Sequence, residues 1–294
     1  MIVAVVVTYG PDEGTARLLR ALAPQVERIV VVDNGSSDAA LAAIDRAIEE
    51  AGAQLIALDE NTGIAHAQNV GILRAKALGA THVLLSDQDS LPAPDMVARL
   101  RDRLEAAPGA GAVGPYIAEN KPGGDELVYV DRRWGPRRAS ADELARPAVD
   151  AAFLLASGCL IPMAVLGEVG PMNAKYFIDH VDLEWCLRAR KAGYRVVVDT
   201  GARLDHSLGD KTVNLPGRAQ PVHLHGPIRC YYLARNTIFM MRSGLLPWAW
   251  RVGYAVWLAK FVAFHSLLAD RRRVRIRELA AGIRDGLLGR GGSR

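Results

Sequence analysis

The amino-acid sequence predicts an α/β protein with a mostly parallel β-sheet flanked by helices, followed by a helical C-terminal extension. Short aliphatic segments alternate with helix-like segments from residue 1 to about residue 115 of the chain, a pattern typical of βαβ units. From residue 228 onward the pattern is helical. We therefore divide the chain into an α/β domain, residues 1–228, and a C-terminal extension, residues 229–294.

Each early strand is predicted from a run of β-branched or aliphatic residues that ends in polar residues or glycine. The strands are Ile2–Thr8, Arg28–Asp33, Gln54–Leu58, His82–Ser86 and Gly111–Pro115. The helices predicted between them are Glu13–Leu22, Ala39–Ala51, Ala65–Leu78 and Asp95–Ala106. Because ligands of open parallel sheets bind beyond the carboxyl ends of the strands, the residues that follow these strands are the first site candidates.

The middle of the chain carries a weaker pattern. Residues 117–148 are rich in glycine, proline and charge and are predicted to form a long loop, and such loops are often functional. After this loop we predict a strand at Phe153–Ile161, a helix at Leu183–Ala192 and a strand at Tyr194–Val198.

Composition is that of an ordinary globular protein, with 50% hydrophobic and 23% charged residues. The three cysteines include no Cys-x-x-Cys pair, which predicts neither a disulfide framework nor a zinc knuckle and fits a reducing compartment. The N-terminus begins as a strand, without the basic segment of a signal peptide. We expect a cytoplasmic protein.

Positive charge is concentrated in the C-terminal extension. Residues 229–294 carry 13 Lys and Arg against 3 Asp and Glu, a balance of +10, so residues 1–228 carry −6 of the total of +4. Inside the extension, Leu245–Leu268 is aromatic at helical spacing, but Arg251 and Lys260 interrupt it, so a membrane-spanning helix is not expected.

We favour a helix that lies on an anionic membrane surface. In this interpretation apolar side chains enter the interface and arginines meet lipid phosphates. The apolar set is Trp250, Trp257, Phe261 and Phe264, and the basic set is Arg271, Arg272, Arg273, Arg275 and Arg277. A solvated basic helix, a buried helix and the interface of a homo-oligomer are the alternatives; we do not expect nucleic acid as a partner.

The strongest chemical motif is Asp87-Gln88-Asp89, directly after an apolar strand. Two carboxylates one residue apart can face one Mg²⁺ or Mn²⁺ ion while a diphosphate supplies other oxygens. By itself Asp-x-Asp is common and more often forms a solvated turn.

Two other strand ends supply context for this motif. Asp33 could accept hydrogen bonds from a ribose or a pyrimidine, or it could simply form an Asx turn ahead of the next helix. Thr8-Tyr9 could hold a base through backbone contacts and ring stacking, with core packing as the alternative.

Several motifs in order resemble those of the family 2 glycosyltransferases, and within them the bacterial rhamnosyltransferases that use dTDP-rhamnose. The resemblance spans residues 2 to about 240. The motifs are Val7-Thr8-Tyr9, Val32-Asp33-Asn34-Gly35-Ser36, Asn61-Thr62-Gly63-Ile64-Ala65, Asp87-Gln88-Asp89-Ser90, Ser157-Gly158, the segment from Phe177 to Trp185, Arg229-Cys230-Tyr231-Tyr232 and Arg235-Asn236.

The resemblance implies a GT-A-type, Rossmann-like fold and an inverting, metal-dependent transfer from a nucleotide-diphosphate sugar. The acceptor it implies is a hydroxyl of a glycan or lipid-linked glycan, in polysaccharide biosynthesis at the inner face of the cell membrane. It assigns nucleotide binding to Thr8, Tyr9, Asp33, Asn34, Asp87 and Gln88, and metal binding to Asp89. Gly10 stands where many relatives carry asparagine, so the side-chain contact of that position is not carried over.

Asp182, at the start of a predicted helix, is the candidate catalytic base. A carboxylate near a helix N-terminus can face a cleft and accept the proton of an acceptor hydroxyl, and the resemblance implies this role. The alternatives are that Asp182 only caps the helix, or that Asp179 and Glu184 are the working pair.

His206 is the candidate second metal ligand. A neutral imidazole is a competent ligand, and the resemblance implies a histidine from this region. A lone histidine is usually structural, and His223 and His225 are rival candidates.

Other enzyme classes fit the sequence less well. The segment from Thr8 to Gly14 supplies neither the Gly-x-Gly-x-x-Gly of a nicotinamide dehydrogenase nor the basic, glycine-rich phosphate loop of a sugar-nucleotide pyrophosphorylase. A non-catalytic nucleotide-sugar-binding protein with the same fold is the remaining alternative.

Overall fold

The computed structural model describes residues 1–119, 127–206, 211–213, 222–224 and 226–294, and within these ranges it leaves the side chains of residues 118–119, 206, 211–213 and 222–224 undescribed. Its strands are β1 Ile2–Thr8, β2 Arg28–Asp33, β3 Gln54–Ala57, β4 His82–Asp87, β5 Ser90–Pro92, β6 Ala110–Glu119, β7 Tyr129–Val130, β8 Arg137–Arg138, β9 Ala148–Asp150, β10 Cys159–Pro162, β11 Arg195–His206, β12 Lys211–Val213 and β13 Val222–Leu224.

The helices lie between and after these strands, with a 3₁₀ turn at Ala174–Tyr176. They are α1 Glu13–Leu22, α2 Asp38–Ala42, α3 Asp45–Glu50, α4 Ile64–Ala77, α5 Met96–Ala106, α6 Ala141–Leu144, α7 Met163–Val169, α8 Val181–Lys191, α9 Pro227–Arg242, α10 Trp248–Leu267 and α11 Arg272–Leu288.

One large sheet organises the fold, in the strand order β3-β2-β1-β4-β10-β6-β11-β5, with β9 beside β11. Strands β3, β2, β1 and β4 are parallel, as are β6 and β11, while β10 runs antiparallel to β4 and β6. The register places Thr8 opposite Asp33 and Val7 opposite Asp87. The carboxyl ends of β1, β2 and β4 therefore meet at one edge of the sheet.

Helices cover both faces of the sheet, so every residue of β1 is buried. Val3, Val5 and Val7 belong to one hydrophobic cluster and Ile2, Ala4 and Val6 to another, because successive side chains of a strand point to opposite faces. On one face α4 comes very close to β1. A β-carbon added at Gly71 would lie 2.2 Å from Val5 Cγ1.

The predicted α/β class with a helical C-terminal region is confirmed. The predicted bounds of β1, β2 and α1 match the observed ones. The predicted helix Ala39–Ala51 is wrong as a single element: it is divided into α2 and α3, because the chain turns at Ile44 and buries that side chain completely.

The central loop was predicted only in outline. Residues 117–148 hold the end of β6, the β7–β8 hairpin, α6 and the start of β9. The predicted strand Phe153–Ile161 is mostly irregular, and only β10 forms within it, after Gly158 turns the backbone with φ of +77°. The predicted strand Tyr194–Val198 is longer than expected and continues to His206.

The C-terminal helices pack on one another and on the α/β domain. Helices α9 and α11 approach closely at two glycines of α11, and a β-carbon added at Gly282 would lie 2.3 Å from the Tyr231 carbonyl oxygen. Cys230, Ala234 and Leu279 form a small buried cluster between them, against which Phe261 packs.

Two residues assigned to the membrane surface face the protein instead, which corrects that part of the sequence analysis. Trp250 is 5% exposed, and its indole N–H donates to the Arg132 carbonyl oxygen at 2.8 Å. Arg275 is 2% exposed and pairs with Asp270 at 2.8 Å. The reason is that α10 and α11 each turn one face toward the α/β domain or toward one another, and helical spacing alone does not indicate which face.

A different set of apolar residues on α10 is exposed. Trp248, Val252, Val256 and Leu267 recur at intervals that keep them on one helix face, and all four are exposed. Arg251, Lys260, Arg272, Arg273 and Arg277 are exposed on α10 and α11. In the part of the chain that the structure describes, each helix is too short or too polar to cross a membrane.

Candidate active site

A cavity of about 1380 Å³ opens beyond the carboxyl ends of β1, β2 and β4. It gathers most of the site residues predicted from sequence. Those that line it are Thr8, Tyr9, Asn34, Asp87, Gln88, Asp89 and Asp182.

Asp33 holds the turn behind the cavity wall. Its carboxylate is 1% exposed and accepts from the Thr8 hydroxyl at 2.8 Å, from the Ser36 N–H at 2.7 Å and from the Ser36 hydroxyl at 2.6 Å. These bonds are those of the Asx turn given above as the alternative. Direct contact of Asp33 with a nucleoside stays a prediction.

Asn34 ties two strand-end loops together. Its side-chain oxygen accepts from the backbone N–H of Thr62 at 2.9 Å and its amide donates to Asn61 at 3.1 Å. Gly63, which follows Thr62, adopts φ of +87°, and a β-carbon added there would lie 2.7 Å from the Phe177 carbonyl oxygen. The Asn61–Gly63 loop therefore connects the β2 end with the segment that precedes α8.

Tyr9 and Gln88 form a fixed pair at the cavity wall. The Tyr9 N–H donates to the Gln88 side-chain oxygen at 2.7 Å, and the Gln88 amide donates back to the Tyr9 carbonyl at 3.2 Å. Tyr9 is 59% exposed. An exposed ring on a fixed backbone can stack on a planar base.

Asp87 carries an unusual carboxylate. One oxygen accepts from the buried Ser157 hydroxyl at 2.6 Å, while the other, Oδ1, is buried without a hydrogen-bond partner among the described residues. An unsatisfied buried carboxylate oxygen is costly unless a cation or a donor meets it. Asp89 lies two residues further, exposed and lining the same cavity.

By themselves, these two carboxylates do not make up a complete ligand set for a divalent cation. Among the described side chains, no three histidine, cysteine, aspartate or glutamate residues converge as a metal cluster. The backbone of His206 pairs with Ser90, the residue after Asp89, but the His206 side chain is outside the described part of the chain. The same holds for the His223 side chain and for all of His225.

Asp182 lies in the first turn of α8, half-buried and lining the cavity. Its Oδ1 accepts from the backbone N–H of Leu183 at 2.8 Å. Burial raises the pKa of this carboxyl to about 7, and the negative charges of Asp87 and Asp179 add to the effect. A carboxylate with a pKa near neutrality is well matched to a general base.

The rival carboxylates have structural partners. Asp179 pairs with Arg229 at 2.6 Å, and Glu184, which is buried, pairs with Arg188 at 3.0 Å. Asp182 has a raised pKa, and among the described interactions it makes no ion pair, whereas Asp179 and Glu184 each pair with an arginine. These contacts favour Asp182 as the base.

The segment before Asp182 has a strained backbone. Phe177, Asp179 and His180 all have positive φ, at 61°, 63° and 62°. Each such residue costs on the order of 1–3 kcal/mol, and such residues cluster at functional sites. Surrounding contacts must hold the segment in place.

Two fully buried residues of α9 supply those contacts. The Asn236 amide donates to the carbonyls of Tyr176, Ile178 and Asp179 at 2.8, 2.6 and 3.0 Å. Arg235 donates to the Tyr176 carbonyl at 2.9 Å and to the Asn236 side-chain oxygen at 3.0 Å. Arg235-Asn236 stands out in the sequence as a motif, but its contacts with this distant backbone segment could not be predicted from it.

One wall of the cavity was not predicted from the sequence. The segment from Trp134 to Arg138, around β8, lines it together with Gly253, Tyr254 and Trp257 of α10. The first segment lay in the predicted loop and the second in the predicted surface helix. The signal that could have found it is Trp134-Gly135-Pro136-Arg137-Arg138, which combines an aromatic residue with two cations.

Residues 3–168 match the family described as glycosyl transferase family 2. The chain is 31% identical over 248 residues to the dTDP-rhamnosyl transferase RfbF of Shigella flexneri, covering 84% of this chain and 81% of that protein. It is 25% identical over 308 residues to an N-acetylglucosaminyl-diphospho-decaprenol L-rhamnosyltransferase of Mycobacterium tuberculosis, covering 93% of this chain and 96% of that one.

Solved structures share the fold. GalNAc-T7 with UDP, GalNAc and Mn²⁺ aligns with a TM-score of 0.60 at 15% identity, over 96% of this chain and 57% of that one. S. aureus TarS with UDP-GlcNAc aligns with a TM-score of 0.58 at 15% identity, over 97% of this chain and 81% of that one. With its fold of the GT-A type and its match to the family across more than half of its length, the chain belongs to glycosyl transferase family 2.

Proposed function

We propose that the protein transfers L-rhamnose from dTDP-rhamnose to a hydroxyl of a glycan or lipid-linked glycan, with inversion at the anomeric carbon. The observation that carries this proposal is a single cavity that joins the strand-end residues to Asp182, a carboxylate whose pKa is about 7. The choice of donor is supported by the two rhamnosyltransferase relatives, one of which is named for dTDP-rhamnose.

The proposed reaction is a single displacement. The acceptor hydroxyl gives its proton to Asp182 while its oxygen bonds to the anomeric carbon. The bond from that carbon to the nucleotide diphosphate breaks, and its electron pair leaves with the diphosphate. A base of this kind contributes roughly 10²–10⁴-fold to the rate.

The strand-end residues would hold the leaving nucleotide during this step. The exposed Tyr9 ring, fixed by Gln88, would stack on the base, while Asn34 keeps the neighbouring loop in place. Fixed positions for both reactants lower the entropy cost of reaching the transition state.

A divalent cation, Mg²⁺ or Mn²⁺, fits the same edge of the sheet. The unsatisfied Oδ1 of Asp87 and the exposed carboxylate of Asp89 would hold it, with His206 on the strand beside them. When bound, the ion would neutralise charge on the departing diphosphate. Two of the structural neighbours were solved with Mn²⁺.

Donor turnover by the purified protein tests the proposal. With dTDP-rhamnose and Mg²⁺ or Mn²⁺ we expect release of dTDP, no release after addition of a chelator, and much slower release with UDP- or GDP-sugars. Asp89→Ala should abolish metal-dependent nucleotide binding by calorimetry, whereas Asp102→Ala, an exposed aspartate on α5, should not. Full turnover by Asp89→Ala without added metal would contradict the metal assignment.

We also propose that the enzyme works in polysaccharide biosynthesis for the cell envelope, attached to the inner face of the cell membrane. Support comes from the exposed apolar face of α10 beside exposed arginines of α11. Each cation near an anionic surface adds about 1 kcal/mol of attraction.

Vesicle sedimentation tests this attachment. The full chain should sediment with anionic liposomes at low ionic strength and far less with neutral ones, and Val256→Asp should weaken the effect. Ala106→Asp, at the exposed end of α5, is the matched control. Equal sedimentation with anionic and neutral liposomes would contradict the proposal. If the protein instead self-associates as its concentration rises, and Val256→Asp abolishes this, the apolar face is a homo-oligomer interface.

A further inference from the structure

The segment that follows α11, residues 289–294 and called the tail segment below, lies against the backbone that leads to Asp182. The Gly292 N–H donates to the carbonyl of Lys175, in the 3₁₀ turn just before the strained residues, at 3.0 Å. A β-carbon added at Gly291 would lie 2.8 Å from Lys175 Cβ. The two stretches of chain therefore touch with no room for a side chain between them.

The end of α11 sets the direction of the tail segment. Gly289 adopts φ of +73°, and the N–H groups of Gly289 and Arg290 both donate to the Asp285 carbonyl. A glycine in the left-handed conformation at this position ends the helix and turns the chain aside. The tail segment is therefore a defined turn that returns to α9 and to the 3₁₀ turn.

The Gly292 carbonyl is an acceptor for a buried cation. Arg235 is fully buried and donates to this carbonyl at 2.6 Å, and to the carbonyls of Lys175 and Tyr176 at 3.1 and 2.9 Å. A buried guanidinium needs acceptors for its N–H groups, so loss of the Gly292 carbonyl forces Arg235 to move toward another one. Such a movement disturbs the Tyr176 carbonyl, which also accepts from the Asn236 amide at 2.8 Å.

A second set of contacts runs through Tyr232. The Arg294 N–H donates to the Tyr232 hydroxyl at 3.2 Å, and the Tyr232 ring stacks on Phe177 with ring centres 5.0 Å apart. Phe177 is the first of the strained residues, with φ of 61°. Arg294 is held in turn by an ion pair with Glu278 of α11. Both sets of contacts thus end at the backbone before Asp182.

Residues 177–180, called the strained segment below, lead directly into α8. His180 is the N-cap residue of this helix, and Asp182 lies in its first turn. Because three of the four residues have positive φ, the segment needs outside contacts to keep this conformation. A shift of its backbone moves the start of α8 and with it the Asp182 carboxylate, and a misplacement of about 1 Å can cost about 10²-fold in rate.

We propose that the tail segment positions the base: the Gly292 carbonyl holds Arg235, and Arg235 together with Asn236 holds the backbone that places Asp182 in the cavity. Gly292 and Arg235 act through this backbone and are positioning residues. The inference rests on the function proposed above, in which Asp182 is the base, and it adds a part of the chain more than 100 residues away to the machinery of transfer.

Deletion of residues 291–294 is the first test. The variant keeps Gly289 and Arg290, which end α11, and it should lower kcat about tenfold to 10²-fold while the calorimetric Kd for dTDP-rhamnose stays near the wild-type value. Arg242→Ala is the matched control, because Arg242 also joins α9 to α11, through the carbonyls of Gly286 and Leu287. Both variants should lower Tm, but only the deletion should lower kcat.

A single added methyl group gives a milder form of the same test. Gly291→Ala should lower kcat in the same direction but less, because its methyl group meets the Lys175 backbone. Gly291 does not have positive φ, so this variant changes the contact and not the backbone conformation. Gly167→Ala is its control, since it adds the same methyl group to α7, where nothing lies within 4 Å.

Hydrogen exchange reports on the strained segment without any turnover. The Ile178 N–H, which donates to the Tyr176 carbonyl at 2.7 Å, and the neighbouring amides should exchange faster in the deletion variant than in the wild type or in Arg242→Ala. A role confined to the packing of α9 on α11 would give the same exchange in both variants.

Three results would overturn the inference. They are wild-type kcat in the deletion variant, exchange in the strained segment no faster than in Arg242→Ala, and a loss of donor affinity as large as the loss of kcat, which would mean that the tail segment supports the whole cavity. If the wild type turns over no nucleotide sugar, the proposed function fails, but the exchange measurement still decides whether the tail segment holds this backbone.

Discussion

The two ends of the cavity are built in different ways. At the end of the cavity proposed to bind the nucleotide, called the nucleotide end below, three neighbouring strands end close together and deliver Thr8, Asp33 and Asp87 to one edge. At the base end, the strained segment before Asp182 is held by Asn236, whose bonds reach carbonyls 57 to 60 residues earlier in the chain. Regular structure places the first set, whereas long-range hydrogen bonds place the second.

This difference has a functional consequence. A nucleotide site on a rigid sheet edge can be present before any ligand binds. Asp182, the proposed base, follows a strained backbone segment and has a raised pKa, so its position and protonation are sensitive to single contacts. Substitutions at the two ends should therefore affect donor binding and transfer separately.

The largest difference between the effect on sugar transfer and the effect on donor binding is expected for Asp182→Asn. Removing the base should lower kcat by roughly 10²–10⁴-fold, with donor affinity by calorimetry nearly unchanged. Asp179→Asn is the control next to it, and it should retain most of the activity. Near wild-type transfer by Asp182→Asn together with an inactive Asp179→Asn would mean that the wrong carboxylate has been assigned.

A smaller decrease in kcat is expected for Asn236→Ala, which removes the amide that donates hydrogen bonds to three backbone carbonyls. A displacement of about 1 Å at the base can cost about 10²-fold in kcat. Donor Kd should stay near the wild-type value, and the pH at which activity is half-maximal should move because the surroundings of Asp182 change.

The control for this variant is Asn69→Ala, which removes two bonds of 2.8 Å to the backbone of Met172. Both variants should lower Tm, but only Asn236→Ala should change the pH profile. A purely structural role for Asn236 would give identical profiles in the two variants.

The pH dependence of kcat gives a finer test of the base end. Since Asp182 must be ionised to accept a proton, activity should rise with pH through about 7, the pKa of this carboxyl. Asp179→Asn removes a nearby negative charge that raises this pKa, so the rise should move to lower pH. A pH profile that is flat from pH 5 to 8 would contradict the assignment.

The smallest expected effect is on stability. The folded pKa of Asp182 is raised above the unfolded value of about 3.9, so its contribution to stability is complete below about pH 4 and is lost as the pH rises through 7. Asp182→Asn should therefore raise Tm at pH 8 relative to wild type more than it does at pH 4. Equal changes in Tm at both pH values would mean that burial does not disfavour the ionised carboxylate.

The same comparison explains what the sequence could predict. The nucleotide end follows from local patterns: β1 and β2 end where their apolar runs end, so Thr8 and Asp33 could be placed at the sheet edge. The Asn236 contacts could not be predicted, since a buried amide in a helical segment does not indicate which distant carbonyls it will meet.

The cavity wall formed by β8 and α10 could not be predicted for a similar reason. The strands β7 and β8 have two residues each, too few for a period of two to be recognised, and they lie in a segment rich in glycine and proline. Trp250 fits the spacing of a surface helix equally well whether its ring faces lipid or the Arg132 carbonyl. Periodicity identifies a helix but does not identify what covers each face.

The proposed function requires that one base, Asp182, drives a single displacement, and the stereochemistry of the product tests this requirement most directly. The anomeric configuration of the first product formed from dTDP-rhamnose can be read from its proton NMR spectrum. A single displacement predicts the configuration opposite to that of the donor. A product with the donor's own configuration would require a second displacement and would contradict the role assigned to Asp182.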